Sequence, residues 1–203
     1  MQTSFWMSVT DFGDVAVGAP IAAAVLLALV ASGWQRGASA WLVAVVGCAT
    51  VTAACKLGFR WAACGSHVAG SALLVFSPSG HAALSAVVYG GLATLGGRQM
   101  PPMARRALGL GALVWIALIA GSRVEVHAHS PVEVIAGLAV GCGALVVLKK
   151  MLGPVQDSSV RLPQLAGSAL LILCLICGAS WHGQEKLRLF SDYLHVWEGV
   201  CTR

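Results

Sequence analysis

Three groups of residues in this 203-residue chain have the types and spacing of a site that handles a charged oxygen group. Lys56 and Arg60 stand four apart, and so share one face of a helix. Ser77-Pro78-Ser79-Gly80-His81 directly precedes an apolar run. Pro and Gly interrupt what comes before, and a Ser is placed to cap the helix that begins there. A helix N-terminus presents unbonded N–H groups and a partial positive charge, which together attract an anion. His81, in the first turn, can hand a proton to whatever is bound. The third group runs from Ser122 and Arg123 to His127, His129, Ser130, Pro131 and Glu133. Glu133 lies four after His129 and can accept the proton of one ring nitrogen, fixing the tautomer and leaving the other nitrogen free to attack. Arg123 offers a fork of donors that fits two oxygens of one phosphate.

Each group also has an architectural role open to it. Ser79 and His81 read equally as an ordinary helix cap beside an exposed imidazole. Ser130, Pro131 at the first helical position and Glu133 three after the Ser form a capping box. That role is compatible with Glu133 also holding His129. Lys56 and Arg60 read as cations reaching for a membrane surface from the end of a span.

The elements that must position these residues follow from composition. The chain is 58% hydrophobic and 10% charged, with a mean hydropathy of +0.81. A soluble domain carries about 25% charged residues, so a water-facing surface is excluded, as is a disordered chain. A bilayer is crossed by roughly 20 apolar residues in a helix. Six stretches qualify, near Val15–Gly33, Trp41–Leu57, Gly80–Gly97, Ala107–Gly121, Pro131–Leu148 and Leu165–Ser180. They are apolar on every side, unlike the alternating strands of an outer-membrane barrel. Gly, Ala, Ser and Cys are abundant in them, which suits close helix contact in lipid. The fold expected is all-α: one domain over residues 1–203, a polytopic membrane bundle of about six transmembrane helices.

Asp11 and Asp14 precede the first apolar run without a basic start, the wrong polarity for a cleaved secretory leader. Arg36, then Arg98, Arg105 and Arg106, then Lys149, Lys150 and Arg161 fall in the odd-numbered connections, which the positive-inside rule assigns to the cytoplasm. The termini and the even connections, with all six histidines, then face outward. This places the chain in the cell (inner) membrane with its site on the extracytoplasmic side. The segment Trp181–Arg203 reads as an amphipathic surface helix. The modest net charge of +5 suits anionic lipid headgroups, and no pattern suggests nucleic acid.

Taken together, the three groups resemble the type 2 phosphatidic acid phosphatase (PAP2) superfamily, which also includes bacterial diphosphate-lipid phosphatases and the soluble vanadium haloperoxidases. Its second motif, P-S-G-H, is present whole as Pro78-Ser79-Gly80-His81. Its third, S-R-x5-H-x3-D, is present as Ser122, Arg123, His129 and Glu133, with Glu in place of Asp. Its first, K-x6-R-P, is altered. Seven residues after Lys56 stands Ala63, followed by Cys64, and taking Arg60 as the family Arg puts Ala53 at the Lys position. His67, in the same connection, could supplement the clamp.

The resemblance implies a membrane lipid phosphatase. It makes His129 the nucleophile that forms a phosphohistidine, with Glu133 holding its ring, and His81 the group that protonates the leaving oxygen and then activates water. It makes Arg123, Lys56 or Arg60, Ser79 and Gly80 the phosphate-binding set. It implies no metal and no cofactor. His127 is off register with the motif and reads as a neighbour. An outward-facing site in a lipid-embedded bundle favours a polyprenyl diphosphate or a simple phospholipid phosphate as substrate, with membrane lipids as the other partners. Two other readings use the same residues: a non-catalytic binder or transporter of an anionic lipid, and a metal-dependent membrane hydrolase built on His127 and His129. Cys174 and Cys177 read as packing residues, and Cys64 and Cys201 share the outer side, where a disulfide can form.

Overall fold

The computed structural model describes residues 2–65 and 77–153, and all the regular structure among them is helical. The elements in chain order are α1 (Gln2–Asp11), α2 (Val15–Ala31), α3 (Gln35–Gly65), α4 (Gly80–Gly96), a 3-10 turn (Gly97–Gln99), α5 (Pro102–Glu125) and α6 (Pro131–Leu152). Helices α2 to α6 match five of the six expected spans. The sixth, Leu165–Ser180, lies outside the described residues, as do the terminal surface helix, His67, Cys174, Cys177 and Cys201. Four segments are long and apolar enough to cross a membrane: Phe5–Ala31, Gln35–Phe59, Pro102–Glu125 and Pro131–Leu152.

Two features differ from expectation. The helices run past their most apolar stretches, so α3 spans 31 residues and α5 spans 24. Flanking polar residues such as Gln35, Arg36, Arg105 and Arg106 continue the backbone ladder where it leaves the lipid. The second difference is α1, a helix of ten residues ahead of the first expected span, packed on α5. At ten residues it is too short to cross by itself, and the apolar segment Phe5–Ala31 runs through most of it into α2.

Helix α4 is the axis of the bundle, contacted by α2, α3, α5 and α6. At 17 residues it is, with α2, the shortest of these, and its neighbours shield it from lipid. Lipid is as apolar as a leucine side chain, so helix association here depends on close fit rather than on exclusion of water. Small residues supply the fit. A Cβ on Gly141 would lie 2.6 Å from the Ala83 carbonyl oxygen, and Gly137 approaches the Ser79 backbone more closely still. Gly91 leaves the space that the Trp41 ring fills. Trp41 is itself 1% exposed and donates from its indole nitrogen to the Ala22 carbonyl at 2.9 Å. Val25, Leu29, Val87, Val88 and Leu148 complete this core.

The two ends of the bundle are chemically unlike. At one end Arg36 donates to the Met151 carbonyl at 2.7 Å, and both terminal nitrogens of Arg98 reach the Gly153 carbonyl at 3.3 Å. These cations satisfy carbonyls that the C-terminus of α6 leaves open. Lys149 and Lys150 in the last turn of α6, and Arg105 and Arg106 in the first turns of α5, belong to the same end. The opposite end holds the N-termini of α2, α4 and α6 and the C-terminus of α5.

Candidate active site

Pro131 opens α6 and Ser130 precedes it with extended backbone, so the helix starts where its sequence signature says. The capping box is complete: Ser130 N–H donates to Glu133 Oε2 at 2.8 Å, and Glu133 N–H donates back to Ser130 Oγ at 3.4 Å. The same Oε2 lies 3.3 Å from His129 Nδ1, and the two side chains are 18% and 15% exposed. One carboxylate therefore caps the helix and orients the imidazole. An ionised carboxylate can only accept, so Nδ1 carries the proton and Nε2 keeps its lone pair. Burial, the largest influence, and the Arg123 and Lys56 charges hold the His129 imidazolium below its usual range, against the opposite pull of Glu133. A neutral ring with a free Nε2 is a nucleophile.

His129 is placed by the way α5 ends. Val126 closes that helix, and His127 turns the chain with φ of 55°, a conformation that side chains other than Gly seldom take. His127 N–H bonds to Val124 O at 3.0 Å and Ala128 N–H to Arg123 O at 3.1 Å, the paired arrangement of a Schellman cap. The His129 N–H shares that Arg123 carbonyl at 3.1 Å. His127 is thus the turn residue, exposed and with Nδ1 3.0 Å from the Glu125 carbonyl.

The Pro78–His81 segment joins this corner directly. Ser79 N–H donates to the Glu133 carbonyl at 2.9 Å, which brings the start of α4 against the start of α6. Ser79 is the N-cap residue of α4 by backbone, but its side chain does not cap the helix. That corrects the expected cap: the hydroxyl is fully buried and bonds to no described residue. The Ser79 backbone packs directly on α6, where Gly137 leaves no room for a Cβ. Lys56 reaches the same helix start, with Nζ 3.5 Å from where a Cβ on Gly80 would stand. Lys56 thereby fills the cationic place beside the P-S-G-H segment. Arg60 lies one turn further along α3, and its side chain is outside what the structure describes. Arg123 in the last turn of α5 donates from Nη1 to Thr10 Oγ1 at 2.9 Å, while its buried Nε bonds to no described residue.

His81 meets a partner that sequence reasoning did not assign. Its Nε2 lies 3.3 Å from Asp14 Oδ2, in the turn between α1 and α2. In the sequence Asp14 had a meaning only for the polarity of the N-terminal segment, and Thr10 had none. Asp14 shows as a helix cap before an apolar run, and the cap bond is present, from Ala16 N–H to Oδ1 at 2.7 Å. Nothing in the local pattern links it to a histidine 67 positions away. Among the described residues, no three His, Cys, Asp or Glu side chains gather as a metal site would require.

The structure therefore brings together His129, Glu133, Arg123, Ser79, Gly80, His81 and Lys56 at one end of a membrane bundle. This end thus gathers a carboxylate-held histidine, a second histidine and two cations around a helix N-terminus. The sequence model of the PAP2 superfamily matches residues 22–156, and the chain belongs to that superfamily. Searches of curated proteins and of solved structures gave no match.

Proposed function

We propose that the protein hydrolyses a phosphate from a lipid phosphate, a polyprenyl diphosphate or a phospholipid phosphate, through a phosphohistidine on His129. The observation that carries this is the His129–Glu133 pair, which leaves Nε2 unprotonated beside two cations. Two buried polar groups support it. Ser79 Oγ and Arg123 Nε lack partners among the described residues. Leaving a buried donor unbonded costs about 1–3 kcal/mol, a penalty that a bound phosphate oxygen would remove.

In the first step His129 Nε2 attacks phosphorus, the bond from phosphorus to the leaving oxygen breaks, and His81 gives that oxygen a proton. Glu133 offsets the positive charge that the phosphorylated ring acquires. Arg123, Lys56, Ser79 Oγ and the N–H groups at the start of α4 hold the equatorial oxygens. In the second step His81 takes a proton from water, the water oxygen bonds to phosphorus, and the P–N electrons return to Nε2. The grouping of Arg36, Arg98, Arg105, Arg106, Lys149 and Lys150 at the far end supports a cytoplasmic assignment for that end. The site then opens on the extracytoplasmic side of the cell membrane, where the substrate's tail stays in lipid.

The test is phosphate release by the purified protein from a panel of polyprenyl diphosphate, phosphatidic acid, phosphatidylglycerol phosphate and a lipid A phosphate. Turnover of at least one, abolished by His129→Ala, is the expected result. Turnover of none overturns the reading, and retention of activity by His129→Ala overturns the mechanism.

A further inference from the structure

We infer that Asp14 is a positioning residue for His81, holding the ring by Nε2 so that Nδ1 is the nitrogen serving the leaving oxygen; this rests on the phosphatase reading above. Each oxygen of Asp14 has its own task. Oδ1 takes the Ala16 N–H at 2.7 Å and so is fixed by the start of α2, while Oδ2 faces His81 Nε2 at 3.3 Å. The turn that carries Asp14 is itself held in place. Tyr89 donates its hydroxyl to the Phe12 carbonyl at 2.8 Å, and Arg123 donates to Thr10 at 2.9 Å. Gly13 lets the chain approach the ring. A Cβ there would lie 2.6 Å from Ile119 Cγ2 on α5 and 3.2 Å from His81 Cβ on α4, so a side chain must displace the Ile119 methyl and crowds His81.

This turn lies ahead of residue 22, where the family match begins, so the family match does not itself assign it a role. The charged groups around His81 are Asp14 and Asp11 from the turn, with Arg123 acting on Asp14 from α5 and Lys56 beside Gly80 from α3. A carboxylate only accepts hydrogen bonds, so Nε2 of His81 is the protonated nitrogen facing Asp14. In the first step the imidazolium donates Nε2–H to Asp14 and passes its Nδ1 proton to the departing oxygen as the P–O bond breaks. The neutral ring keeps its Nε2 proton on Asp14, so its Nδ1 lone pair is the base that deprotonates water in the second step. Without Asp14 the neutral ring can carry its proton on either nitrogen and rotate away.

The experiment uses the full-length protein in detergent micelles and two phosphate esters, phosphatidic acid and p-nitrophenyl phosphate. An alkoxide leaving group needs the proton from His81; a nitrophenolate does not. Asp14→Asn and Asp14→Ser both preserve a side chain that caps α2, so unchanged thermal unfolding accompanies them. Each variant is expected to lose kcat on phosphatidic acid by roughly 10- to 100-fold, a share of the about 10²–10⁴ that a general acid contributes. KM and the pre-steady-state burst of nitrophenolate, which reports the first step alone, should stay near wild type, while the shared second step slows for both esters, and Asp14→Glu should regain part of the loss. Adding Asp14→Asn to His81→Ala should cost nothing further. Equal losses in the first step on both esters, or wild-type kcat on phosphatidic acid in Asp14→Asn, overturn the inference. Nitrogen-15 NMR of the histidine rings decides it independently of turnover. The His81 proton should sit on Nε2 in the wild type and redistribute in Asp14→Asn; an unchanged tautomer overturns the inference. Failure of the wild type to release any phosphate instead overturns the phosphatase reading.

Discussion

Replacing Glu133 by Gln separates the charge of this residue from its shape. All three donors at Glu133, the Ser130 N–H, the Ser130 hydroxyl and His129 Nδ1, converge on the single oxygen Oε2. A glutamine carbonyl can occupy that position and keep the capping box, so the fold and the His129 tautomer are retained. What is lost is the negative charge facing the ring when it becomes cationic on phosphorylation. At 3.3 Å the attraction is about 5 kcal/mol at an effective dielectric of about 20 and about 1.3 kcal/mol in bulk water. Both side chains are more than four-fifths covered, which favours the larger figure, while the remaining neutral hydrogen bond keeps about half the strength of the charged one. The net loss is about 2–3 kcal/mol in the transition state, or roughly 30- to 150-fold in kcat. Single-turnover phosphate release from a saturating lipid phosphate measures it, with KM expected within about twofold of wild type because the ground state is little affected. An unchanged kcat, or a loss confined to KM, refutes the reasoning.

The pH profile tests the environment of His129, which attacks only when neutral. Burial, Arg123 and Lys56 favour the neutral ring, so the acid limb of kcat/KM should fall below the ordinary value of 6.5. Activity then persists as pH drops through that value and is lost only further down. Lys56→Met removes one of the opposing charges and should move the limb upward; a limb that does not move contradicts the assignment. Ser79→Ala should leave thermal stability unchanged or slightly raised, since the deleted hydroxyl has no described partner. It should weaken phosphate binding by about 10-fold or more, the loss of one hydrogen bond to a charged group of about 1.5–3 kcal/mol. Inhibition by vanadate reads this directly. Gly137→Ala should cost about 1–3 kcal/mol by forcing α6 off the Ser79 backbone. Gly143→Ala, whose added methyl meets nothing within 4 Å, should leave the melting temperature near wild type.

The membrane bundle was legible because lipid permits so few solutions: apolar stretches with small residues can only be packed helices. The His129–Glu133 pair was legible for a local reason, since four positions on one helical start bring the two side chains together whatever the rest of the chain does. Ser130 and Pro131 fixed that start. Ser79 was read less well. Its cap geometry is a local expectation, whereas the burial of its hydroxyl depends on the packing of α4 against α6. Lys56 at the helix start also follows from packing, because motif spacing matched neither Lys56 nor Arg60 outright. Asp14 and Thr10 were invisible as site residues. Their contacts to His81 and Arg123 span 67 and 113 positions, and exist only because the α1–α2 turn is held between α4 and α5.

The most direct test is to find the phosphoryl group on the enzyme. The purified protein, mixed with a turned-over lipid phosphate and quenched in alkali, where a phosphorus–nitrogen bond survives, should yield one phosphorylated peptide by mass spectrometry, modified at His129. With p-nitrophenyl phosphate, whose leaving group needs no proton, the adduct should accumulate further in His81→Ala, where water is poorly activated; it should be missing from His129→Ala with either substrate. Phosphate release by the wild type with no adduct at His129, or with the adduct on another side chain, contradicts the mechanism.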